Sequence, residues 1–247
     1  MTLRLHATTV TDVGLVRSNN EDAAHAGRHV VALADGIGGM PAGELASSIV
    51  VRALAALDAR PVAEEPEAAL RDTVEAANKT ILEVSEADAA RDGMGTTVTA
   101  LMLSGDQVAL INVGDSRCYL ERDGELYRLT KDDTFVQALV DEGLLTPAEA
   151  RNHPRRSIVT QALQGLPYEA TSTTRSTRPG DRFLLCSDGL SDMVTDDAIG
   201  LALRTHPDLD QCARSLIRLA LDAGASDNVT VVVADVVADV VADAVAD

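Results

Sequence analysis

The chain has 247 residues, 46% hydrophobic and 24% charged, a composition ordinary for a folded protein and long enough for one large domain or two small ones. Its net charge of −18 argues against an electrostatic grip on nucleic acid or anionic lipid, since both need basic patches. Aromatic residues make up only 2% and Trp is absent, so Val, Ala and Leu must fill the core.

In chain order, strand-like runs rich in Val, Leu, Ile and Thr fall at 6–12, 29–34, 96–103, 107–113, 117–122, 125–129, 181–187 and 228–236. Gly105-Asp106 and Asp123-Gly124 stand between paired runs, as hairpin turns do. Helix-like runs fall at 42–58, 66–88, 132–142, 146–152, 195–204 and 208–223; within 68–84, Leu70, Val74, Ala77 and Ile81 recur at helical spacing. Two long helices follow an early strand group, hairpins fill the middle, and two helices come near the end. That segregation fits an α+β fold with antiparallel sheets better than alternating βαβ units. PVAEEPE (61–67) reads as a loop between helices, and no low-complexity linker splits the chain, so one domain over 1–236 is the economical reading. From 231 the sequence repeats Val-Val-Ala-Asp at period four. The first copy suits a terminal strand. The later copies, running into a tail at 237–247, place Asp235, Asp239, Asp243 and Asp247 on one drifting helical face, and a disordered tail or a partner-binding helix fit them equally.

Cys118, Cys186 and Cys212 are far apart, odd in number and form no CxxC pair, which points to free thiols in a reducing cytosol. MTLRLHATTV lacks a signal-peptide core, and no apolar run reaches the ~20 residues that span a bilayer. The expectation is a soluble, cytoplasmic protein.

The chemistry is carried by aspartates at strand ends. Asp35 closes HVVALAD, Asp115 follows ALINVG, Asp188 follows FLLCS, and Asp227 precedes NVTVVVA. One such Asp is ordinarily a turn residue or helix cap. Four of them at strand termini, if the ends assemble together, would raise one another's pKa unless cations neutralised them. All-oxygen ligation without His or Cys suits hard ions: Mg²⁺, Mn²⁺ or Ca²⁺. Gly36 would let its backbone carbonyl approach such an ion, having no Cβ in the way. Arg17, in LVRSNNEDA, could take a phosphate bidentately, or could be a surface Arg paired with Glu21.

RSNNEDA (17–23), ADGIGGMPAGELAS (34–47), GMGTTVTAL (93–101), VGDSRCYL (113–120), LTKDDTFVQALVDEGLLT (129–146), CSDGLSD (186–192) and SDNVTVVVADV (226–236) resemble, in order, the motifs of metal-dependent protein Ser/Thr phosphatases of the 2C type, bacterial branch. The resemblance implies a four-layer sandwich, two antiparallel sheets with a helix pair outside each. It implies two bridged Mn²⁺ or Mg²⁺ ions, with Asp35 as the bridging carboxylate, Gly36 a carbonyl ligand, and Asp188 and Asp227 the remaining direct ligands. Asp115, with Asp188, corresponds to a weaker third metal. Glu21 and Asp22 correspond to holders of metal-bound water, Arg17 to the phosphate-binding Arg, and Asp192 and Asn228 to supporting positions. Residues 131–157 correspond to a flap beside the site. The implied reaction is hydrolysis of phosphoserine and phosphothreonine by a metal-activated water, opposing eukaryote-like Ser/Thr kinases in bacterial signalling. The implied partners are phosphoproteins, Ser/Thr kinases and their substrates among them, met by a monomer with no nucleic acid.

The sequence departs from the pattern at Ile37, where many eukaryotic members carry a His proposed to protonate the leaving group. That leaves the acid unassigned between a water on the third metal near Asp115 and His153. Three other readings compete. A catalytically silent phosphoprotein binder should have lost Asp35, Asp188 or Asp227, and all three are present. A nucleotide cradle at 36–43 should continue into Lys and Ser or Thr, but Glu44-Leu45-Ala46 follows. A sporulation-type regulatory phosphatase would lack the complete flap.

Overall fold

The computed structural model describes residues 2–38, 42–60 and 64–239. In chain order its strands are β1 (Leu3–Asp12), β2 (Ala23–Ala26), β3 (Val30–Ala34), β4 (Gly36–Ile37), β5 (Gly95–Thr96), β6 (Val98–Ser104), β7 (Gln107–Val113), β8 (Arg117–Arg122), β9 (Glu125–Arg128), β10 (Thr171–Ser176), β11 (Arg182–Cys186) and β12 (Val229–Ala238). The helices are α1 (Ala42–Asp58), α2 (Pro66–Glu86), α3 (Phe135–Asp141), α4 (Pro147–Arg151), α5 (Asp188–Ser191), α6 (Asp196–Thr205) and α7 (Leu209–Asp222).

Two five-stranded antiparallel sheets form, ordered β1-β12-β11-β8-β9 and β10-β7-β6-β3-β2. Period-two alternation explains how both faces of each sheet are buried. Val31 and Leu33 of β3, Leu101 and Leu103 of β6, Phe183 and Leu185 of β11, and Val232 and Ala234 of β12 point between the sheets. Their neighbours Val30, Ala32, Ala100 and Met102 face α1 and α2, while Leu184, Cys186, Val231 and Val233 face α6 and α7. The four-layer α/β/β/α sandwich follows. α1 buries Ala46, Val50, Leu54 and Leu57 at helical spacing, and α2 starts on Pro66 and buries Leu70, Val74, Ala77 and Ile81.

Between β9 and β10 lie residues 131–157, read from the sequence as a flap, with α3 and α4, and a return arm that leads from them to β10. Thr134 caps α3, and Thr146 with Glu149 forms a reciprocal capping box at α4. The flap's return arm makes isolated bridges to Thr134 through Val159 and to Thr96 through Leu163.

The structure differs from the sequence reading at the tail. Val237 and Ala238 continue β12 beyond 236, opposite Arg4 and Leu3. Asp235 and Asp239, read as one helical face, instead sit on and just past a strand: Asp235 pairs with Arg182, and Asp239 with Arg4 and Arg28. The rest of the repeat, with Asp243 and Asp247, lies outside the described residues, as does Gly39 of the glycine-rich turn.

Candidate metal centre and phosphate site

The four aspartates meet because strand direction puts their ends on one side of the sandwich. β3 runs into Asp35 and pairs with the start of β6, whose first residue, Val98, faces Val113 at the end of β7, two residues before Asp115. β11 ends two residues before Asp188, and its last residue, Cys186, pairs with Val231, close to Asp227 at the head of β12. A cleft of about 370 Å³ opens there, lined by Arg17, Glu21, Asp35, Gly36, Ile37, Asp115, Asp188, Asp227 and Asn228.

The carboxylates feel one another. Burial, and then the charges of Asp22, Asp188, Asp115 and Asp227, hold Asp35 well above the usual carboxylate range. Asp188 is raised likewise by burial and then by Asp115, Asp192, Asp227 and Asp22. Asp115 is pushed up to about 7 by burial and by Asp132 and Asp192, and Asp22 to about 6, chiefly by burial. Crowded carboxylates of this kind are relieved by a cation among them.

The residues fit hard divalent ions. Asp188 Oδ1 and Asp22 Oδ1 are buried with no hydrogen-bond partner, oxygens left over after the protein's own donors are used. A Cβ on Gly36 would stand 2.4 Å from the Gly43 carbonyl oxygen and 2.7 Å from that of Glu21, so only glycine passes there. Among the described residues, no three His, Cys, Asp or Glu side chains are already closed into one cage. The carboxylates instead ring the cleft from separate elements, and Asp227 is turned onto Arg17 at 2.8 Å.

Each remaining sequence candidate has a place. Arg17 pairs with Asp227 rather than with Glu21. Glu21 is buried; its carbonyl accepts from Ser47 Oγ and the Gly36 amide, and its side chain from Asn19. Asn228 is a pin: its Oδ1 accepts from the Glu21 amide, and its Nδ2 donates to the Val13 and Asn19 carbonyls. Asp22 accepts from Ser187 Oγ. Asp192 stands outside the cleft, in the neighbouring cavity under the flap, and holds Arg156 at 3.1 Å. His153 sits beside Phe135 in the flap and does not line the cleft.

Sequence reasoning missed the hydroxyls that hold Asp35. The Asp35 amide donates to Thr97 Oγ1, while its carbonyl accepts from Thr96 Oγ1 and the Thr97 amide. It also missed Arg151, whose guanidinium donates to the Ser191 and Asp192 carbonyls and so ties α4 to the end of the short helix that Asp188 begins. The Thr-Thr pair within GMGTTVTAL was the available signal for the first; for Arg151 there was none.

A family profile for Protein phosphatase 2C matches residues 16–230. The serine/threonine protein phosphatase PstP of Mycobacterium tuberculosis is 52% identical over 235 residues, 95% of this chain; the chain spans 46% of that protein's length. The serine/threonine phosphatase stp of Listeria monocytogenes is 36% identical over 94% of this chain and 96% of its own. The crystal structure of the catalytic domain of PstP in complex with two manganese ions superposes with a TM-score of 0.91 at 51% identity, covering 96% of this chain and all of that one.

Proposed function

The chain belongs to the protein phosphatase 2C family, and from that premise we propose that it hydrolyses phosphoserine and phosphothreonine in proteins, opposing Ser/Thr kinases in bacterial signalling, as a cytoplasmic monomer. The observation that carries the reading is the convergence of Asp35, Asp115, Asp188 and Asp227 on one cleft, with a buried Asp188 oxygen unpartnered and an arginine at its edge.

Asp35, Gly36, Asp188 and Asp227 would hold two Mn²⁺ or Mg²⁺ ions, and Asp115 with Asp188 would serve a third. When bound, such ions lower the pKa of water and neutralise charge on a phosphoryl group. The chain's own residues do the rest. Thr96 and Thr97 fix the Asp35 main chain from both sides, which sets where its carboxylate points. Arg17 is half-exposed and permanently charged, and its fork can exchange the Asp227 carboxylate for the two oxygens of a phosphate. Asn228 holds the 19–21 segment in register with Asp227, the residue beside it. Ile37 gives the cleft an apolar wall and no proton.

The test is hydrolysis of p-nitrophenyl phosphate and of a phosphothreonine peptide with Mn²⁺, abolished by EDTA. Asp35→Asn and Asp188→Asn should each lower kcat by ~10²-fold or more, the usual scale for lost charge stabilisation, without lowering the thermal midpoint measured in chelator. Full activity in Asp188→Asn would overturn the assignment.

A further inference from the structure

α2 carries one amide on its buried face. Asn78 is only 5% exposed, set among Leu70, Val74, Ala77 and Ile81. An amide costs free energy in such a place unless both of its ends are bonded. Both are, and to the same short stretch of main chain. Asn78 Nδ2 donates to the Leu166 carbonyl at 3.0 Å, and Oδ1 accepts from the Gly165 amide at 2.7 Å.

That stretch is pressed onto the helix. Gly165 has φ +76°, and a Cβ there would stand 2.5 Å from Leu82 Cβ, one turn beyond Asn78. Immediately before it, Gln164 lines the cleft. Leu163, fully buried, exchanges both main-chain hydrogen bonds with Thr96, at 2.9 and 3.0 Å. Thr96 in turn holds the Asp35 carbonyl. The flap's return arm, which contributes Val159, Thr160, Gln161 and Ala162 to the cleft, is therefore tied down just past its far end by a side chain from the helical layer.

We propose that Asn78 is a positioning residue for substrate: by clamping Gly165 and Leu166 to α2 it sets the wall against which the chain of a phosphoprotein rests. This deepens the phosphatase reading and rests on it. A small phosphate ester needs Arg17 and the carboxylates but not that wall, whereas a peptide needs both. Asn78 thus acts on KM for peptides and leaves the chemical step alone.

The experiment compares the full chain with Asn78→Ala, Asn78→Asp and Gly165→Ala, in Mn²⁺, on p-nitrophenyl phosphate and on a phosphothreonine peptide. Losing the clamp removes about two hydrogen bonds, so Asn78→Ala and Gly165→Ala should each raise peptide KM by about tenfold. kcat on p-nitrophenyl phosphate should stay within about twofold. Asn78→Asp keeps an acceptor for Gly165 and should fall between. Gly165→Ala breaks the clamp from the loop side should Asn78→Ala fold poorly. Unchanged peptide KM in the variants, or parallel losses on both substrates, overturns the proposal. A wild type silent on both esters overturns the phosphatase reading instead. Amide hydrogen exchange over residues 157–166 reads the clamp without any chemistry: it should quicken in Asn78→Ala, and unchanged protection overturns the proposal.

Discussion

Asp58 is the last residue of α1, and its carboxylate accepts from the main-chain amides of Arg28, His29 and Val30 at the start of β3. Burial pushes its pKa upward, but the three donors outweigh burial and hold it below the ordinary value of 3.8. A carboxylate depressed on folding contributes stability above its unfolded pKa and loses it as pH falls through the folded one. Asp58→Ala should therefore cost about 1–3 kcal/mol at pH 7. The gap in thermal midpoint between it and wild type should hold from pH 8 to pH 5 and close below pH 3.8. A gap that widens in acid would contradict the assignment. Phosphatase activity at pH 7 should be untouched, because Asp58 does not line the cleft.

At the scale of elements, α4 is a five-residue helix that cannot stand by propensity and depends on its caps and on Arg151. Thr146→Ala removes the capping box and should cost about 1 kcal/mol locally. Arg151→Ala also releases the carbonyls of Ser191 and Asp192 behind Asp188. Hydrogen exchange should quicken over α4 alone in the first variant, and over α4 and α5 together in the second; an unchanged α5 in Arg151→Ala would show that the tie carries no load. Which elements were legible follows from burial. α1, β7 and β8 fall where periodicity put them, because each buries an apolar face. β10 and β2 were missed, and they are the two edges of their sheet. Thr171–Ser176 is mostly exposed and polar, and Ala23–Ala26 is four small or polar residues, so neither shows an alternation to detect. The site divides the same way. Asp35, Asp115, Asp188 and Asp227 declare themselves as charges at strand ends. Thr96 and Asn78 are neutral residues inside regular elements and Thr97 is one at the break between β5 and β6, and their hydrogen bonds exist only once distant segments have met.

For the whole molecule, carboxylates drawn from β3, β7, β11 and β12 must be held against mutual repulsion by cores on both faces of both sheets. A cation that binds the folded chain and not the unfolded one adds stability by mass action, about 2.7 kcal/mol at a hundred times its Kd. The thermal midpoint should rise with Mn²⁺ at constant ionic strength and return with EDTA, and no shift would mean that the carboxylates take no ion. The unpartnered oxygen of Asp188 has a further consequence. Its raised pKa means that the folded chain retains a proton the unfolded chain releases, so this residue opposes folding more strongly as pH rises. In chelator, Asp188→Asn should thus melt above wild type while being inactive, and the order should reverse in Mn²⁺. The side chain offered to a cation is thus a point of local frustration in the fold that lacks one.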